Sequence, residues 1–172
     1  VAVAALSRQE MRDAVASLGL PAYRGEQAWR WVHLRMAVEW SVMTDLGPAL
    51  QKRLSEHFLV STVAPTEMAA GQDGTVRVVL RLLDSETVES VYIPADDRRT
   101  VCVSSQVGCR FGCLFCASGK AGFRRNLLAG EMVDQVRLAA RHWNARPTHV
   151  VFMGMGEPFD NYDEWIRAVR RL

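Results

Sequence analysis

The chain has 172 residues, 49% of them hydrophobic and 23% charged, which is the make-up of a folded protein and excludes a disordered, collagen-like or low-complexity chain. No apolar run approaches the roughly 18 residues of a membrane helix, and the opening Val1–Leu6 is too short and lacks the basic start of a signal peptide. Four cysteines are too few for a disulfide scaffold, and a net charge of +2 is not strongly basic, so the chain reads as cytoplasmic with reduced thiols, and composition alone does not establish nucleic-acid binding.

The first sixty residues read as helical. Ser7-Arg-Gln-Glu10 has the form of a capping box. Met11, Ala14, Val15 and Leu18 follow at helical spacing, and Gly19 and Pro21 end that helix. A second helix is predicted over 24–36, with Trp29, Val32 and Met36 along one face. A third starts at Pro48 and carries Leu50, Leu54 and Phe58. Trp29 and Trp31 are read as core.

Beyond Pro65 the period changes. Val76, Val78, Leu80 and Leu82 alternate, with Arg77 and Arg81 on the other face, which predicts a half-buried strand over 75–82. Asp84–Glu86 turns the chain, and 87–93 returns as a second strand. Residues 61–98 are thus expected to be a β-hairpin linker, closing in a polar loop at 94–98. From Arg99 the pattern is strand (100–104), Cys- and Gly-rich loop, amphipathic helix (131–143), strand (148–153), Gly-rich loop and helix (162–172). This order implies an α/β fold with parallel strands.

Charge is unevenly placed. Residues 101–130 hold four basic side chains, no carboxylate and all four cysteines. Within this stretch Cys109, Cys113 and Cys116 are spaced C-x3-C-x2-C. Three thiolates so close can hold an iron–sulfur cluster, and three protein ligands on four irons leave one iron open for chemistry. Arg110, Lys120, Arg124 and Arg125 could offset the cluster's charge. The alternative is a structural zinc site with Cys102 as fourth ligand, although Cys102 lies seven residues upstream within a strand pattern. After the next strand comes Gly154-Met-Gly156-Glu157-Pro158, in which glycines permit close backbone approach to a ligand and the carboxylate could bind an ammonium group.

In these motifs the sequence resembles the radical S-adenosylmethionine (SAM) superfamily. Within it, the chain is similar to the bacterial methyltransferases acting on adenine carbon 2 of 23S rRNA and tRNA. The matching text runs from Thr100 through Gln106-Val-Gly to Cys116, then Gly122–Leu127, Gly130-Glu131, Phe152–Pro158 and Asn161-Tyr162. In the helical part it is Tyr23–Gln27, Trp31 and Met43-Thr44. The resemblance implies a small helical accessory RNA-binding domain over 1–60, then the start of a partial (β/α)6 barrel over 99–172, incomplete after about two βα units. It implies a [4Fe-4S] cluster on Cys109, Cys113 and Cys116, with SAM chelating the open iron beside Gly154, Gly156 and Glu157. It implies Glu89 as a proton acceptor and Cys102 as the cysteine that frees the product through a transient disulfide. The family's methyl-accepting cysteine, near its C-terminus, is not in this sequence, so the chain is expected to be the N-terminal half of a longer enzyme and inactive by itself. The sister activity at adenine carbon 8 shares these motifs, and a non-catalytic zinc- or cluster-binding RNA module is the alternative from another class.

Overall fold

A computed structural model describes residues 1–120 and 122–172. The first sixty residues form α1 (Arg8–Ser17), α2 (Ala22–His33) and α3 (Pro48–Ser55), with short 3-10 turns at Val3–Ala5 and Trp40–Val42. The capping box at α1 is present in both directions: Ser7 Oγ accepts from the Glu10 amide, and the Glu10 carboxylate accepts from the Ser7 amide. α2 stops at His33, three residues before the expected end, because Met36 takes a left-handed conformation (φ 54°) and the Ala37 amide turns back to the Trp31 carbonyl. Both tryptophans serve packing. The Trp29 indole donates to the Leu6 carbonyl, the Trp31 indole donates to Asp45, and Arg35 lies over the Trp31 ring.

Residues 61–98 depart from the expected hairpin. Three strands, not two, occupy this stretch: β1 (Val63–Ala70), β2 (Val76–Leu82) and β3 (Thr87–Ala95). β1 escapes a periodicity reading because only Val63 is buried along it, and because Pro65 and a register shift between Pro65 and Glu67 break the alternation. Both features belong to edge strands. The expected polar loop at 94–98 is also absent as such, since β3 runs through Ala95 and β4 (Arg98–Cys102) pairs with it at once. Asp96, at φ 32°, takes the tight turn between them.

The remaining elements are β5 (Gln106–Gly108), α4 (Ala117–Lys120), β6 (Phe123–Asn126), α5 (Ala129–Trp143), β7 (His149–Val151) and α6 (Tyr162–Val169). One mixed sheet runs in the order β1-β2-β3-β4-β7, antiparallel up to β4 and parallel between β4 and β7. β5 and β6 form a separate antiparallel pair. No described helix is long and apolar enough to cross a membrane.

The strand registers sort the sheet's side chains onto two faces. Val78, Leu80, Leu82, Val88, Tyr92 and Val101 fill the core under α5. Arg77, Glu89, Val91, Cys102 and Val151 point the other way. α5 itself is buried nearly all round, including Asp134, Gln135 and Arg137, because the sheet covers one side and the helical unit the other.

His33 sits in that second contact, 6% exposed and stacked on Trp29. Burial, reinforced by the nearby Arg137 and Arg171 charges, pushes its pKa down to about 4. The unfolded chain, with an ordinary histidine near 6.5, therefore binds the extra proton between those values. Stability is full above about pH 6.5 and falls as the pH drops toward 4. Urea unfolding is expected to show a loss of about 2 kcal/mol from pH 7 to pH 5, and His33→Gln should remove that share of the slope; an identical slope in the variant would assign it to other groups.

Candidate active site

The two loops singled out by sequence leave the same end of the sheet. The cysteine loop follows β4 through β5, and the Gly154–Glu157 loop follows the parallel β7. Between them lies the polar run Ser104-Ser105-Gln106, all of it buried. Its backbone and side chains are the surface on which the second loop rests. The Gly154 amide donates to the Val103 carbonyl, and the Met155 amide donates to Ser104 Oγ. The Ser105 amide donates to the Met155 carbonyl, and the Glu157 amide to Gln106 Oε1.

This contact gives Gly154 and Gly156 a role in the chain's own packing, in addition to the approach to a ligand that the sequence suggested. A Cβ at Gly154 would lie 2.7 Å from Ser104 Oγ, and one at Gly156 would lie 2.5 Å from the Gln106 Cβ. Gly156 also has φ 94°, which L side chains rarely adopt. Gly156→Ala is therefore expected to cost about 2 kcal/mol or more in thermal unfolding; a cost near zero would mean the loop is free to lift off.

Helix α5 holds the polar run from behind. Gln135 accepts from the Ser104 amide and donates to the Ser104 carbonyl at 2.8 and 3.0 Å. Asn161 donates to the carbonyls of Ser105 and Leu127. Ser104-Ser105-Gln106 and Asn161 were legible only as matching letters in the resemblance, without a physical role, and Gln135 gave no signal at all.

The four cysteines are free thiols, so no disulfide is formed. Cys109 is buried, Cys113 exposed and Cys116 between the two. The amides of Gly119 and Ser118 donate toward the Cys116 sulfur and pull its pKa down, which favours a thiolate. Cys102 is the opposite case. Burial pushes its pKa up, only partly offset by the Met153 amide. Among the described residues, no three Cys, His, Asp or Glu side chains converge as a single metal ion would require. A four-iron cluster makes no such demand, since each thiolate binds its own iron. The donor set fits that group: three thiols in one loop free of carboxylates, with exposed Phe111, Leu114 and Phe115 as apolar material around them.

Glu89 and Cys102 come together on the open sheet face. Cys102 is the register partner of Val91, and Glu89 lies two residues along β3 with its side chain on the same face. Glu89 is paired there with Arg77 at 2.5 Å. Glu157 presents one carboxylate oxygen to the Phe159 amide, capping the short turn Pro158–Asn161, which leaves its other oxygen for a ligand.

The expected basic surround of the cysteines is reduced. Arg125 binds Glu131 through both terminal nitrogens and Asp84 through Nε, and Arg110 pairs with Asp160 at 2.9 Å. Carboxylates missing from 101–130 in sequence are thus supplied by folding, and among the described residues Lys120 and Arg124 are the two of these four basic side chains with no ion pair.

Comparison with known proteins finds similarity over nearly the whole chain. Residues 1–60 match the ribosomal RNA large subunit methyltransferase N-terminal domain, and residues 103–172 match the radical SAM superfamily. The dual-specificity RNA methyltransferase RlmN of Halorhodospira halophila is 46% identical over 169 residues, covering 96% of this chain and 46% of the relative. The probable RlmN of Chloroherpeton thalassium is 40% identical, covering 99% of this chain and 49% of the relative. A crystal structure of a radical SAM methyltransferase from Sphaerobacter thermophilus superposes with a TM-score of 0.95 at 40% identity, over all of this chain and 52% of that one. The chain spans about half the length of the curated relatives it matches, and in sequence and fold it resembles their N-terminal half.

Proposed function

We propose that this chain is the N-terminal half of a radical SAM RNA methyltransferase that modifies carbon 2 of adenine in 23S rRNA and tRNA. The observation that carries the proposal is that the Gly-Met-Gly-Glu loop rests on the buried polar segment Ser104–Gln106, which leads through β5 into the C-x3-C-x2-C loop, at the same end of parallel strands β4 and β7. That is where such folds build active sites.

Cys109, Cys113 and Cys116 would hold a [4Fe-4S] cluster by three of its irons. Glu157, through its uncapped oxygen, would take the ammonium group of SAM. Bound together, the cluster and SAM supply radical chemistry, which suits an amidine carbon that has no nucleophilic character. Cys102, buried and kept as a thiol, would be held in reserve for release of the product by a transient disulfide with a cysteine outside this chain. Glu89, on the same face, would accept a proton while Arg77 fixes its direction. Residues 1–60 would serve as the accessory RNA-binding domain, residues 61–98 as the strands joining it to the core, and 99–172 as the first part of the barrel. The free thiols suit a reducing compartment, and the cytoplasm is the one we propose. Residues 1–172 are expected to bind both cofactors.

The test is anaerobic reconstitution of the chain with iron and sulfide, followed by addition of SAM. About four irons and four sulfides per chain, with an electron paramagnetic resonance (EPR) signal of the reduced cluster that changes with SAM, is the expected result. One tightly held zinc with no response to SAM would sink the proposal in favour of a non-catalytic module.

A further inference from the structure

Gln106 is completely buried, yet it is not an apolar filler. Its Oε1 accepts from the Glu157 amide at 3.0 Å, and its Nε2 donates to Asn126 and to Asp160, each at 2.8 Å. Asp160 has two further links. Its amide donates to the Glu157 carbonyl, closing one short turn between the two acids, and its Oδ2 pairs with Arg110 Nε at 2.9 Å. Arg110 is the residue after Cys109, and its guanidinium also lies over the Phe123 ring at 4.0 Å. The Cys109 amide in turn donates to the Gly122 carbonyl. A continuous polar path thus runs from the backbone of Glu157 through Gln106 and Asp160 to Arg110, beside the first cysteine.

We propose that Gln106, Asp160 and Arg110 are positioning residues that join the cysteine loop to the Gly154–Glu157 loop, so that a ligand seated at Glu157 is felt at Cys109. The inference rests on reading those loops as the cluster and SAM sites. The fully buried Gln106 amide costs desolvation unless its polar atoms are satisfied, and two of its three partners are the Glu157 amide and Asp160, which in turn holds Arg110 of the cysteine loop. Displacing Glu157 must either break the Gln106 and Asp160 bonds or carry Arg110 along.

The test uses the full chain, reconstituted anaerobically and titrated with SAM while the EPR signal of the reduced cluster is followed. Gln106→Met and Asp160→Ala are expected to keep the iron content but to need about tenfold more SAM for the half-maximal spectral change, the equivalent of one lost charge-assisted hydrogen bond. Asp160→Asn, whose amide oxygen still accepts from Gln106 and Arg110, should remain near the unsubstituted chain. In the cluster-free chain, alkylation of the buried Cys109 thiol, read by peptide mass, should quicken about tenfold in Asp160→Ala and in Arg110→Leu. Arg110 is half exposed, so its variant folds even where a buried substitution does not. Superimposable SAM titrations with iron intact, or unchanged Cys109 alkylation in both variants, would overturn the proposal. An unsubstituted chain that takes up no cluster overturns the functional reading instead, and the alkylation rates then decide the loop coupling by themselves.

Discussion

Alanine at Cys113 is expected to lower the iron retained after anaerobic reconstitution from about four atoms per chain to less than one. Cys113 is the cleanest of the three positions, because its side chain is exposed and removing the sulfur leaves no cavity to confuse the result. Cys109→Ala and Cys116→Ala should have the same effect, with a small added cost in stability at the buried Cys109. Cys102→Ala is the control that separates the two metal readings. Cys102 lies on β4, with its side chain on the face shared with Glu89 and Val91, and its substitution should leave iron unchanged. A structural zinc site completed by Cys102 predicts the reverse, with equal loss of metal from all four variants. Iron and zinc measured on the same samples discriminate the two outcomes.

Methionine at Arg137 is expected to destabilise the chain by about 3–5 kcal/mol in urea unfolding. Arg137 rises from α5 with 2% exposure. Its Nε donates to the Val32 carbonyl at 3.1 Å and its Nη1 to the Val60 carbonyl at 2.8 Å, while Nη2 donates to the Ala37 carbonyl. It also pairs with Asp134, whose other oxygen accepts from the amide and hydroxyl of Thr62, both at 2.7 Å. One guanidinium thus holds the end of α2, the turn after it and the approach to β1. Burial alone disfavours both charges, raising the Asp134 pKa and lowering that of Arg137. Removing the cation therefore leaves an unpaired buried carboxylate and three orphaned carbonyls. Asp134→Asn added to Arg137→Met should recover part of the loss, because it removes the stranded charge. A double variant whose cost equals the sum of the two single costs would show that the residues do not act as a pair.

Much of this was readable one residue at a time. The capping box at Ser7 and Glu10, the core face of α5 at Met132, Val133, Val136 and Ala139, and the C-x3-C-x2-C spacing depend on neighbours within a few positions. Local geometry of that kind is written directly into sequence. The α/β order and the resemblance to radical SAM RNA methyltransferases followed from the same short-range text.

Folding decided whatever depends on partners distant in the chain. β1 shows no alternation because an edge strand with one buried residue has little hydrophobic pattern to display. Arg125 and Arg110 read as free charge around the cysteines until Asp84, Glu131 and Asp160 arrive from 41, 6 and 50 residues away. Asp134, Gln135 and Arg137 carry no signal of their own in sequence, and are buried once the helical unit covers their side of α5. That Gly154 and Gly156 also pack against Ser104 and Gln106 appears only once those segments meet. The common reason is physical. Sequence period reports how much of an element is buried on average, whereas the identity of what buries it, and the hydrogen bonds and charges that must be satisfied there, exist only when remote segments meet.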